Sequence, residues 1–280
     1  MLDAGLPPKR TGPSVRAKPA PLLHKSIPLR AESRPQLAAR SAGEPRLNRL
    51  LAALPEDERS RLLPHFESME MPAGMVLTES GAAPAFVYFP TTAIVSVQYI
   101  TADGSSAEVA VIGNEGIVGA ALFMGGGSAL SRAVVRGVGR GCRLRAAVLL
   151  ALFDRSVLTR HLLLRYTQAL ITQVAQTAVC NRHHSIDQQL CRWLLLSLDR
   201  SQGRDLQVTQ ELIAEMLGVR REGVTEAAGH LQKDGLIRYA RGRIAILDRA
   251  GLEHRVCECY AAVTREYSRL LREPPGPADR

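Results

Sequence analysis

The stretch VTQELIAEMLGVRREGVTEAAGHLQKDGLI, residues 208–237, decides how the rest of the chain is read. Two short segments of helical period meet at Gly218. Leu212, Ile213, Met216 and Leu217 share one face of the first. Val224, Ala227, Ala228 and Leu231 share one face of the second. Thr209 stands where a helix needs an acceptor for its first free N–H groups. Gly218 stands where a helix end favours positive φ. Asp234-Gly235 closes the second segment. A gap of three or four residues containing glycine is the spacing of a helix-turn-helix. In such a motif the N-terminal part of the second helix enters the major groove. Here that part carries Arg220, Arg221, Glu222, Thr225 and Glu226. Arginine can donate two hydrogen bonds to guanine O6 and N7, and glutamate can accept one from cytosine N4. The following IRYARGRIAIL, residues 237–247, places two β-runs around Arg241-Gly242 and predicts a hairpin. Its Arg241 and Arg243 are candidates for holding phosphates. Two observations pull the other way: helix–Gly–helix patterns also build ordinary bundles, and residues 205–245 carry six basic against six acidic side chains.

Working upstream, SIDQQLCRWLLLSLD (185–199) predicts a helix with Leu190, Trp193, Leu194 and Leu198 on one side. Residues 146–183 contain neither proline nor glycine. Leu163, Tyr166, Leu170, Val174 and Thr177 recur there at three- and four-residue steps, so one long helix with an apolar seam is expected. Such a seam on a helix between two domains suggests a dimer contact; the alternative is packing against its own domain. Residues 74–145 change character. FVYF (86–89), AIVSVQYI (93–100) and AEVAVIG (107–113) are β-rich and separated by turn residues, which predicts an antiparallel barrel or jelly roll. Two short helices precede it from Arg46. Residues 1–45 hold eight prolines and no apolar period, and read as a disordered basic arm.

The charge is uneven. Of the net +9, residues 1–46 contribute nine Lys/Arg against three acids, and the remainder holds 27 against 24. The high isoelectric point is therefore weak evidence that the folded part binds nucleic acid. Five scattered cysteines in 280 residues argue against a disulfide framework and for a reducing cytoplasm. No apolar run reaches a membrane span. An enzyme on a metal-binding barrel would need histidines on the barrel strands, and residues 74–145 have none; no catalytic residue is assigned. Cys257 and Cys259, taken as lying on one continuous helix, would point about 200° apart. They are read as one buried and one exposed cysteine, with a redox or metal role as the alternative. His183 and His184 are read as hinge packing, and no metal ligand is assigned.

Taken together, the barrel, long helix, SIDQQLCRWLLLSLD, helix pair and hairpin resemble the Crp/Fnr family of bacterial transcription regulators, from about Arg46 to Tyr260. Arg221-Glu222-Gly223-Val224 is similar to the family's recognition-helix pattern. The resemblance implies an α+β fold: an N-terminal β-roll of the cyclic-nucleotide-binding type, a long dimerisation helix and a C-terminal winged helix-turn-helix. Beside the arm read at 1–45 and a helical tail read at 251–280, it implies a sensor domain at 46–145, a dimerisation region at 146–184 and a DNA-binding domain at 185–250. It implies a cytoplasmic homodimer on palindromic double-stranded DNA, with RNA polymerase as a partner if it activates. Arg221 then resembles the guanine reader and Glu222 its cytosine-contacting partner. Thr209 resembles the cap that also touches phosphate. Arg220 replaces the usual Ser or Thr cap of the recognition helix, and Glu226 replaces a residue often basic or polar.

The family's nucleotide cassette is matched by IVGAALFMGGGSALSRAVV (117–135). Gly119 and Phe123 are retained. The carboxylate that takes the ribose is Ala120, and the closing Arg-Ser-Ala is inverted to Ser131-Arg132-Ala133. Thr177 matches a hydroxyl position on the long helix. Gly119, Ser131, Arg132 and Thr177 are thus the candidate effector-pocket residues of a sensor that does not bind cAMP in the usual mode. Iron–sulfur members need N-terminal cysteines, and none precedes Cys142. No cofactor is assigned and the effector is unidentified. Two alternatives stay open: a regulator that depends on a cyclic nucleotide or redox signal, and a protein-interaction adaptor with a vestigial helix-turn-helix.

Overall fold

A computed structural model describes residues 45–201 and 205–271. The expected N-terminal arm lies outside these residues except for Pro45. Two short helices, α1 (Arg49–Ala52) and α2 (Glu56–Leu62), lead into seven strands: β1 (Glu67–Met71), β2 (Val76–Thr78), β3 (Phe86–Pro90), β4 (Ile94–Ile100), β5 (Ser106–Ile112), β6 (Arg132–Gly137) and β7 (Gly139–Arg145). They form two antiparallel sheets, ordered β1-β7-β3 and β2-β6-β4-β5. Met71, Leu77, Val95, Ile112, Val118 and Val135 form a buried cluster of this jelly-roll-like unit.

The expected single helix over 146–183 is two: α3 (Ala146–Arg155) and α4 (Val157–His183). Ser156 breaks them by adopting extended φ/ψ, and its side chain accepts from Thr159 N as the N-cap of α4. A serine competes with the helix for backbone hydrogen bonds. The C-terminal unit follows: α5 (Ile186–Arg200), β8 (Asp205–Gln207), α6 (Gln210–Leu217), α7 (Arg221–Lys233), β9 (Ile237–Ala240), β10 (Arg243–Ile246) and α8 (Arg249–Arg255). Its three strands are ordered β8-β10-β9. Ser185 and Gln188 form a capping box that starts α5.

The last helix, α9 (Glu258–Leu271), folds back along α4. Its Val263, Tyr267 and Leu270 join Leu163, Tyr166 and Ile117 in one buried cluster. Tyr166 and Tyr267 meet edge-on with centroids 6.3 Å apart. Tyr166 is fully buried and donates to the Ile117 carbonyl at 3.1 Å. A Cβ on Gly116 would lie 2.4 Å from that hydroxyl, so this approach requires glycine. The seam assignment is therefore corrected: Leu163 and Tyr166 face their own chain, and Leu170 packs against the same cluster. The exposed stripe of α4 runs one position round, through His161, Leu164, Gln168, Ile171, Ala175 and Ala178. Val174 is exposed beside it, and Thr177 is half-buried. The cysteine reading is corrected too: Cys257 and Cys259 are both buried, because the chain leaves the helix at Val256–Cys257 between α8 and α9.

Candidate nucleic-acid interface and sensor cavity

Thr209 caps α6 by accepting from Leu212 N at 3.2 Å. Gly218 ends it at φ 66°, and its N–H reaches the Ala214 and Glu215 carbonyls. Any residue with a Cβ is strained in that conformation. The chain then turns once and enters α7 from Arg220, its N-cap residue, whose side chain makes no cap hydrogen bond. Val224, Ala227, Ala228 and Leu231 bury against Ile213, Met216 and Leu217, so both helices present their inner faces to one core. This leaves Arg220, Arg221, Glu222, Thr225 and Glu226 exposed.

These residues are not equally available. Arg221 Nε lies 3.9 Å from Glu211 Oε2, a loose pair between two largely exposed side chains. Such a pair contributes roughly 0–1 kcal/mol, so the guanidinium can leave it cheaply. Thr225 is engaged internally: its Oγ1 lies 2.8 Å from Gln210 Oε1 and 3.0 Å from the Arg221 carbonyl oxygen. In the wing, Arg241 and Gly242 both take positive φ, 51° and 73°. That is the pattern of a tight two-residue hairpin turn. Arg241 is exposed at its tip, whereas Arg243 is ion-paired with Asp205 on β8.

The N-terminal β-roll holds a cavity of about 280 Å³. Val97, Tyr99, Met124, Leu130, Leu170 and Ile171 are among its walls. Gly119, Ala120 and Ser131 line it, but Arg132 does not: its Nε pairs with Glu79 Oε1 at 3.2 Å. Arg132 opens β6, where successive side chains alternate between faces: Ala133 lines the cavity and the Arg132 guanidinium turns out. Thr177 lies outside the cavity wall. It accepts from Arg192 Nη2 at 2.7 Å and donates to the Gln173 carbonyl. The pocket assignment is corrected accordingly: Gly119 and Ser131 belong to the wall, Arg132 and Thr177 do not. No basic side chain lines the cavity among the described residues.

The two units are joined by contacts that no local pattern signals. Arg200 of α5 and Glu115 of the sensor form an ion pair at 2.7 Å, both nearly fully buried. Gln173 of α4 accepts from Arg200 Nη2 at 3.1 Å and donates to the Val111 carbonyl. Glu215 of α6 accepts from Arg136 at 3.0 Å and from Ser106 at 3.1 Å. Glu108 on β5 is buried near Arg192 and Trp193; burial pushes its carboxyl up to about 7, against the lowering influence of the nearby Ser96 hydroxyl and the guanidinium groups of Arg192 and Arg136.

The described residues combine a β-roll, a long helix and a winged helix-turn-helix with exposed arginines. Residues 188–255 match the Crp-like helix-turn-helix domain. Among solved structures, a Crp/Fnr-family regulator from Eubacterium rectale is 16% identical with a TM-score of 0.58, over 74% of this chain and 96% of its own. A CRP-family regulator from Thermus thermophilus is 20% identical with a TM-score of 0.54, over 67% and 95%. The c-di-GMP-responsive regulator CLP of Xanthomonas campestris is 16% identical with a TM-score of 0.54, over 69% and 100%. No curated protein sequence matches the chain. The chain has the fold of the Crp/Fnr regulators it is similar to, and its residues 188–255 match a Crp-like helix-turn-helix domain. No helix among the described residues is long and apolar enough to cross a membrane.

Proposed function

We propose that the chain is a cytoplasmic, sequence-specific regulator that reads palindromic double-stranded DNA as a homodimer, without a cyclic nucleotide bound in the usual mode. The single observation that carries this reading is the exposed start of α7, where Arg221 and Glu222 project from a capped, fully packed helix pair. Arg221 donates to guanine O6 and N7, and Glu222 accepts from cytosine N4. Arg220 and Arg241 take phosphates; Arg243 does so on exchanging Asp205 for DNA. Thr209 supplies the cap and Thr225 braces the two helices. Glu226 sets sequence preference, since a carboxylate near phosphates is costly unless it accepts from a base.

The exposed stripe through Leu164, Ile171 and Ala178 supports pairing of two copies along α4. It has the seven-residue repeat of a coiled-coil seam. Two readers held this way meet half-sites about 34 Å apart. Ile171 also borders the sensor cavity, so the cavity and the pairing face share a wall. A change in cavity filling then biases the pairing, and through the Gln173–Arg200–Glu115 node it biases the DNA-binding unit.

The test is a binding titration on a palindrome and on its single half-site at several salt concentrations. Tight, strongly salt-dependent binding to the palindrome and weak binding to the half-site are expected. Equal, salt-insensitive binding to both would contradict the proposal. In sedimentation, Ile171→Asp should be monomeric while Leu163→Met stays dimeric.

A further inference from the structure

At the C-terminal end of α4, four side chains from distant parts of the sequence converge. The ligand atoms of Cys180, His184, Cys257 and Cys259 all lie within 4.8 Å of one another. The sulfurs of Cys180 and Cys257 are 3.6 Å apart, and Cys259 Sγ is 3.6 Å from His184 Nδ1. We propose that these four residues bind one tetrahedrally coordinated zinc ion at the joint between the long helix and the DNA-binding unit.

The distances suit that ion. Zinc–sulfur bonds of about 2.3 Å and zinc–nitrogen bonds of about 2.0 Å give tetrahedral edges of roughly 3.6–3.8 Å. The Cys180–Cys257 and Cys259–His184 pairs already stand there, and a pair at the 4.8 Å limit contracts by about 1 Å. The donor set is that of structural zinc sites: three thiols and one imidazole, with no position left for a substrate. All three cysteines are buried and carry no disulfide. On binding, the three thiols release their protons to solvent and the thiolates donate to the metal.

The histidine supplies an independent observation. Its other nitrogen, Nε2, lies 3.3 Å from Glu258 Oε1. A carboxylate there holds the Nε2 proton, so the Nδ1 lone pair is turned toward the sulfurs. This carboxylate–histidine arrangement is the outer support that metal-bound histidines use. Glu258 is mostly exposed, so packing does not account for it.

The chain route explains how Cys-Glu-Cys can chelate. Cys180 and His184 are four residues apart, hence on one face at the end of α4. Cys257 lies in the non-helical link before α9, and Cys259 lies in its first turn. The pair therefore escapes the divergence of two residues on one continuous helix. A bound ion would fasten the end of α4 to the link between α8 and α9, next to the capping box that begins α5. It would limit how far the reading unit swings on the long helix.

The probe is cobalt(II), titrated into the reduced full-length protein. One equivalent should give the visible bands of tetrahedral cobalt and the charge-transfer absorption of cobalt–thiolate bonds, both discharged by zinc. Cys259→Ser should lose the thiolate intensity. Glu258→Ala, an exposed change, should weaken zinc binding by about 10–100-fold, and His183→Ala, at the exposed neighbouring histidine, should not. Folded, reduced protein with no cobalt–thiolate absorption would overturn the site. So would isolation of a Cys180–Cys257 disulfide with no metal uptake after reduction, or equal weakening by His183→Ala and Glu258→Ala.

Discussion

The start of α7 and the wall of the sensor cavity treat arginine in opposite ways. On α7, Arg220 and Arg221 stand in solvent, and Arg221 has only a loose partner in Glu211. Around the cavity, Arg132 is turned away and closed onto Glu79, and the positions facing in are apolar or small. A guanidinium that is to meet an incoming anion has to face it and be free to exchange its partner, because an anion buried without a cation loses its solvation uncompensated. The reading surface keeps that arrangement, while the cavity lacks the cation and the carboxylate that a cyclic nucleotide would require.

The joint between these regions gives the largest expected effect. Glu115→Ala strands Arg200 without its buried partner and should cost about 3–5 kcal/mol in denaturant unfolding. A loss under about 1 kcal/mol would show that the two units are not held together there. Next in size is a pH effect. The Glu108 carboxyl sits near 7, above its unfolded value, so the folded state holds the proton more tightly. Its contribution is fully present below the unfolded value and is lost as pH rises through about 7. Stability should fall over that window by up to about 3 kcal/mol, and Glu108→Gln should flatten the profile. Arg192, Arg136, Ser96 and Trp193 face this group, so a profile unchanged by the substitution would assign the titration elsewhere.

A smaller effect is expected on the reading surface itself. Arg221→Ala should cost about 1–3 kcal/mol in specific affinity and relax preference at one base pair. Arg241→Ala should weaken binding to all sequences alike and reduce the salt slope by about 1. The smallest effect is in the cavity: cAMP should leave the melting temperature unchanged, and so should cAMP added to Arg132→Ala. A cAMP-induced rise in melting temperature that Arg132→Ala abolishes would place the guanidinium back in the pocket.

The helix pair was legible because its signals are local. Thr209, Gly218 and the two apolar faces lie within 23 residues of one another and specify caps, turn and core without help from elsewhere. The seam of α4 was harder to read because leucine occurs on both of its faces. Leu162 and Leu163 are buried while Leu164 is exposed. Which face turns inward is decided by α9, about 100 residues further on, and periodicity carries no information about that. The cysteine cluster was hidden for a related reason. Cys-Glu-Cys was judged on an unbroken helix, and the break at Val256–Cys257 rotates one member relative to the other. The buried Glu115–Arg200 pair joins residues 85 apart in sequence, with no pattern linking them.

Arg221 and Glu222 are proposed to read DNA from paired copies that need no cyclic nucleotide bound in the usual mode. The most direct test is selection of bound sequences from a random DNA pool with purified protein free of added effector, alongside Arg221→Ala. The account predicts a palindromic motif for the native protein, and for the variant a motif that loses its preference at one base pair of each half-site. Enrichment of the same motif by both proteins, or no palindrome from a protein shown to be folded, would contradict it.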